Sequence, residues 1–170
     1  MENLEKTLQM VKNYLPSAGT ELGCYTFLTP DALWTGRVET QCPFVVVAEE
    51  SWTPPTFIII VMADGPVYIA ELSSEDTAKS DYRNDLNLGQ DRLINYCAAD
   101  FPKFMEIMKL YFEALENTPC PDVFDDEGFE KCAETEKLLR QQISKIDPTA
   151  IEDVDEGLWS TLIEELGYGM

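Results

Sequence analysis

The chain has 170 residues, 45% of them hydrophobic and 11% aromatic, a composition that builds a globular core and excludes a disordered chain. Thirty-two acids against twelve lysines and arginines give a net charge of −20, and there is no histidine. That charge argues against phosphate-backbone binding to nucleic acid and against docking on anionic membranes, because both need a basic face.

A field of this sign either keeps the protein soluble or speeds capture of a cationic partner. The longest apolar stretch, Phe57 to Ala63, has strand length and falls far short of the roughly 18 residues of a membrane span. The opening MENLEKTLQM lacks a basic stretch followed by an apolar one, so no secretory signal is expected. Five cysteines stand at 24, 42, 97, 120 and 132. The number is odd and no CxxC pair occurs. They read as reduced cytoplasmic thiols, mostly small buried apolar groups.

Residues 2–15 place Leu4, Leu8, Val11 and Leu15 on one helical stripe. Cys24–Leu28 reads as a short strand. TPDALWTG reads as one helical turn capped by Thr29, with Pro30 at its first position. Pro43–Ala48, Thr56–Met62 and Val67–Leu72 are strand-forming runs bounded by breakers. Asp64-Gly65 between the last two signals a hairpin. These runs are nearly continuously apolar, so both sheet faces should be covered. Residues 73–90 read as a long polar loop, and Arg92–Cys97 as a last strand.

A long helix should follow Asp100, with Phe101, Phe104, Met108, Tyr111 and Leu115 on its core stripe. TPCP at 118–121 reads as a linker. A helix with an acidic start and a basic end follows, which suits the helix dipole. Asp147-Pro148 stops it, and a last helix carries Leu158, Trp159, Leu162, Ile163 and Leu166 up to Gly167. The expected core contains Leu4, Phe57, Ile59, Val61, Tyr68, Phe104, Met108, Tyr111, Leu139, Trp159 and Leu162.

Catalytic chemistry finds no foothold in the sequence. Without histidine, Ser-His-Asp and Cys-His arrangements are impossible, and no phosphate-cradling glycine motif is present. Asp122, Asp125, Asp126, Glu127 and Glu130 do not alternate as a calcium loop requires. They read as a helix start favoured by the dipole. No metal, cofactor or catalytic residue is expected, and an enzyme working through carboxylates alone has no supporting motif. Trp52, in AEESWTPP, is either an interface anchor beside Glu49 and Glu50 or a ring folded back over the sheet edge.

Three stretches together resemble the SUKH superfamily, the Smi/Knr-like immunity proteins of bacterial polymorphic toxin systems. They are Gly65-x-Val67-Tyr68, Ile94-Asn95-Tyr96 leading into Phe101–Phe104, and Ile146-Asp147-Pro148 followed by Trp159. The resemblance spans most of residues 40–166. It implies an α+β fold with a central mixed, largely antiparallel β-sheet flanked by helices. It also implies a single domain over 1–170, with a core of about 1–117 and a helical C-terminal extension of about 122–170.

The function so implied is binding and neutralising a toxin domain, often a nuclease or deaminase, without catalysis. The superfamily also holds eukaryotic and viral regulatory members, so a regulatory or scaffold domain without a toxin is the alternative. The partner is then expected to be a basic protein domain. The residues expected to meet it are those of the two polar loops: Glu49, Glu50 and Trp52, then Glu71, Glu75, Asp76, Asp81 and Asp85.

Overall fold

The computed structural model describes residues 2–84, 86–152 and 156–170. It is an α+β fold, with a curled, mixed, largely antiparallel sheet and helices before and after it in the chain. Its contacts divide into two compact units. One contains the chain up to Tyr96 together with Asp100–Pro102; the other contains Cys97–Ala99 and Lys103–Met170.

The first unit opens with helix α1 (Glu2–Tyr14), which packs on the sheet. Val11 of its stripe is fully buried, whereas Leu4, Leu8 and Leu15 are half-buried. The strands are β1 (Glu21–Leu22), β2 (Tyr25–Phe27), β3 (Trp34–Val38), β4 (Cys42–Glu50), β5 (Phe57–Met62), β6 (Val67–Glu71), β7 (Leu86–Leu88) and β8 (Leu93–Ala98). Their order is β1-β2-β4-β5-β6-β8. β3 pairs antiparallel with the first part of β4 and parallel with β7, while β2 pairs with the end of β4.

The curl gathers Trp34, Phe44, Val46, Ile58, Ile60 and Leu86 into one buried cluster. Val45, Val47, Ile59 and Val61 are buried as well. Adjacent strand residues point to opposite faces, so both faces are covered, as the continuous apolar runs require. The β5–β6 hairpin turns at Gly65, whose φ of 127° suits glycine alone.

Two segments differ from expectation. Only Pro30–Ala32 makes a 3-10 turn, and Thr29 supplies no side-chain cap. The chain then extends as β3, with Trp34 and Val38 alternating into the core. Gly36 between them admits no side chain, because a Cβ there would lie 2.5 Å from Cζ of Phe44. The polar stretch 73–90 is not a plain loop either. Ser73 and Asp76 form a reciprocal capping box that starts helix α2 (Ser74–Ala78). A 3-10 turn at Tyr82–Asn84 leads into β7.

The second unit is helical: α3 (Phe101–Asn117, belonging to it from Lys103), α4 (Asp126–Ile146) and α5 (Leu158–Gly167). Asp125 caps α4 by accepting the Gly128 N–H. Phe104 and Trp159 meet with ring centroids 5.0 Å apart. The Trp159 Nε1–H donates to the Cys97 carbonyl at 3.0 Å. Asp147, which ends α4, accepts the Ala99 N–H at 2.7 Å through Oδ2 and the Thr149 N–H at 3.1 Å through Oδ1. These two side chains hold segment 97–99 to the helices.

Of the expected core, Ile59, Val61, Phe104, Met108, Tyr111, Leu139, Trp159 and Leu162 are buried. Leu4, Phe57 and Tyr68 are half-buried. The cysteines depart from expectation: Cys97 and Cys132 are buried, but Cys24, Cys42 and Cys120 are exposed. All three lie at strand ends or in connections, where no second layer covers them. No helix among the described residues is long and apolar enough to cross a membrane.

Candidate functional site

The two polar loops meet at one end of the sheet, where β4 ends, β5 begins and β6 ends. Phe57 pairs with Glu71, and the Leu72 N–H donates to the Thr56 carbonyl at 2.7 Å. A β-bulge in β4 decides what its acids do. The register with β5 shifts between Val46 and Ala48, so Glu49 pairs with Ile58. Cross-strand partners share a face, and Ile58 belongs to the buried cluster. Strict alternation from Phe44 and Val46 would have placed Glu50 there instead; one extra residue exchanges the two glutamates.

Glu49 therefore turns toward Trp34, whose Nε1–H donates to its Oε2 at 2.8 Å. Arg83, from the second loop, grips the same carboxylate in a two-pronged pair, Nε to Oε2 and Nη2 to Oε1, each 3.1 Å. Its guanidinium lies 4.7 Å from the Tyr82 ring centroid and 5.9 Å from that of Trp34. The two rings meet edge-on at 5.8 Å. The hydrogen bonds to Glu49 hold the Arg83 pKa above its ordinary value, against the opposing effect of burial. A bidentate pair stacked on aromatic rings is a stiffer tie than a lysine could make. It clamps segment 82–84 to the end of β4.

Glu50 points the other way and is only 6% exposed. Its Oε1 accepts the backbone N–H groups of Thr56 at 2.8 Å and Phe57 at 2.7 Å, closing the loop 51–56. Glu50→Ala should cost about 2–3 kcal/mol by leaving two N–H groups without their acceptor. Limited proteolysis should then cut at 51–56, and a variant as resistant as the parent would remove this role from Glu50.

The residues expected to face a partner thus divide. Glu49 and Glu50 spend their carboxylates inside the chain, and Asp76 spends its own on the Ser73 N–H. Glu71 is half-buried on β6, while Glu75 and Asp81 are exposed. Asp85 lies outside the described residues. Trp52 is 54% exposed, so its ring stands open to solvent rather than folded away over the sheet edge. Of these residues Trp52, Glu75 and Asp81 are exposed: Trp52 on the loop that Glu50 closes, Glu75 on helix α2, and Asp81 just before the segment that Arg83 clamps.

Sequence reasoning missed Arg83 and Trp34. The available signal was an Arg beside a Tyr within an otherwise acidic stretch, one of only twelve basic residues. No family model matches the chain, and no curated protein or solved structure shows significant similarity to it.

Proposed function

We propose that this chain is an immunity protein of the SUKH type, which neutralises a basic toxin domain, a nuclease or deaminase, by covering its surface. Trp52 carries the reading. An open tryptophan on a fixed loop has the make-up of an interface anchor, and the exposed acids Glu75 and Asp81 can steer a basic partner toward this domain. A net charge of −20 supports it, because a nuclease surface evolved for phosphates is basic. The protein acts by binding alone.

The test is stopped-flow association with the basic partner domain, isolated by pull-down at low salt and release at high salt. The association rate should fall by about tenfold or more between low and high salt, while dissociation changes little, because screening acts on the approach of exposed charges. Glu75→Lys with Asp81→Lys should slow association. Trp52→Ala should speed dissociation by about 30-fold, the size expected of a hot spot. A neutral or acidic binding face on the partner, or an association rate indifferent to salt, would overturn the electrostatic part. Unchanged dissociation in Trp52→Ala would remove the anchor.

A further inference from the structure

The helical unit carries a second surface that the Trp52 face leaves unused. The end of α3, the linker 118–122 and the first turns of α4 frame a cleft of about 610 Å³. A second cavity of about 320 Å³ continues it along α3 and α4, and the two share Asn117, Thr118, Thr135 and Leu138. The two adjoin at these residues, where the Thr118 and Thr135 hydroxyls meet at 3.3 Å, and we treat them as one groove between α3 and α4.

Its apolar and charged features are arranged around that groove. Val123 and Phe124, 83% and 95% exposed, do not line the cavities but stand at their rim, between the lining residues Asp122 and Asp125 in the chain. A turn closed by the Asp125 N–H on the Asp122 carbonyl, 2.9 Å, presents them. Exposed Leu138 lies on the stretch common to both cavities. A phenylalanine this open forfeits the burial that ordinarily places aromatic rings inside, and adjoining apolar groups of this kind mark interaction surfaces. Glu113, Asp122, Asp125, Glu127 and Glu134 line the groove against a single base, Lys131.

We infer that this groove docks a basic, amphipathic helix of a partner protein. Apolar anchors framed by acids complement a helix with apolar residues on one face and Lys or Arg on its flanks. The opening between α3 and α4 also runs lengthwise along both, from Leu110 to Asn117 and from Glu127 to Gln142, as a bound helix would. A second copy of this chain is a poor occupant, since it would bring another −20 of charge and set acids against acids. The chain's own C-terminal end lies at the linker edge of this cleft, with the Cys120 Sγ–H donating to the Gly169 carbonyl, and leaves Phe124 and Leu138 exposed. The surface is distinct from Trp52 and does not depend on the toxin reading.

The test is an NMR titration of the full ¹⁵N-labelled chain with a synthetic Leu/Lys amphipathic helix of about five turns. A Ser/Lys peptide of equal charge and a Leu/Glu helix serve as controls. Shifts should concentrate between residues 113 and 138, and affinity should fall with salt. Phe124→Ser and Leu138→Ser should each weaken binding about tenfold with unchanged melting temperature, both residues being exposed, and Trp52→Ala should leave it unaltered. Equal binding of the Ser/Lys peptide, or shifts spread over the whole acidic surface, would reduce the effect to bulk charge and overturn the inference. Shifts confined to residues 49–81 would move the site to the Trp52 face. Concentration-dependent dimerisation lost in Phe124→Ser would give the groove to a second copy instead.

Discussion

Trp159→Ala is expected to cost about 4–6 kcal/mol, a large share of the roughly 5–15 kcal/mol that holds a domain folded. Two effects combine. The indole is 1% exposed and lies against Phe104, so its removal opens a cavity where the surrounding helices cannot fully collapse. It also removes the hydrogen bond from the indole to the Cys97 carbonyl, and the loss of a buried hydrogen bond adds to the cost. Trp159→Phe separates the two, because it keeps most of the packing and loses only the hydrogen bond. It should cost about 1–2 kcal/mol. Urea denaturation followed by circular dichroism measures both. An alanine variant within about 1 kcal/mol of the parent would show that the site relaxes freely, contrary to its close packing.

Long, strongly patterned elements were legible in the sequence because their signal is local. The runs Pro43–Ala48 and Thr56–Met62 could only be buried strands, and the stripe of α3 is an ordinary packing period. β3 and β7 were not legible, for a physical reason. Both are short; β7 is held by β3, distant in sequence, with Gly36 pairing with Leu86 and Val38 with Leu88, while β3 also lies between β7 and β4. Their pairing, not their own propensity, makes them strands. Helix α2 was legible in principle, since Ser73-x-x-Asp76 is a capping-box spacing. The surrounding Asn, Asp, Ser and Gly concealed it.

The candidate site was half legible. The sequence places Trp52 in a polar loop between two strands, but does not decide between an open anchor and a ring folded over the sheet edge. The roles of Glu49 and Glu50 could not be read, because they depend on one bulge that exchanges the faces of two adjacent glutamates. Nor could a sequence show that Arg83, 34 residues away, would reach Glu49. Val123 and Phe124 were visible as two apolar residues among acids, yet they were absorbed into the reading of a helix start. Their exposure follows from where the turn before α4 points, which only the assembled backbone decides.

Asp147 offers the sharpest pH test. It is 2% exposed, so burial favours the neutral acid. Its pKa is nevertheless held below the ordinary 3.8, because hydrogen bonds from the Thr149 hydroxyl and from the Ala99 and Thr149 N–H groups, with attraction to Lys103, outweigh that burial. A carboxylate with a lowered folded pKa contributes stability that is fully present above its unfolded pKa. That stability is lost as pH falls through the folded value. Asp147→Asn keeps the shape but has one acceptor oxygen where two are used, so it should cost about 2 kcal/mol at pH 7. Asp147→Ala, which strands the donors on both sides, should cost about 3–5 kcal/mol.

The distinguishing result is the difference between the parent and Asp147→Asn, measured by urea denaturation from pH 7 to pH 3. The other carboxylates titrate in both proteins, and relief of self-repulsion on protonation is common to both. The difference should therefore stay constant down to about pH 4 and shrink below it, as the parent's Asp147 takes up its proton. A difference that persists unchanged at pH 3 would mean that the neutral acid holds segment 97–99 as well as the charged one does, and Asp147 would then act by shape alone.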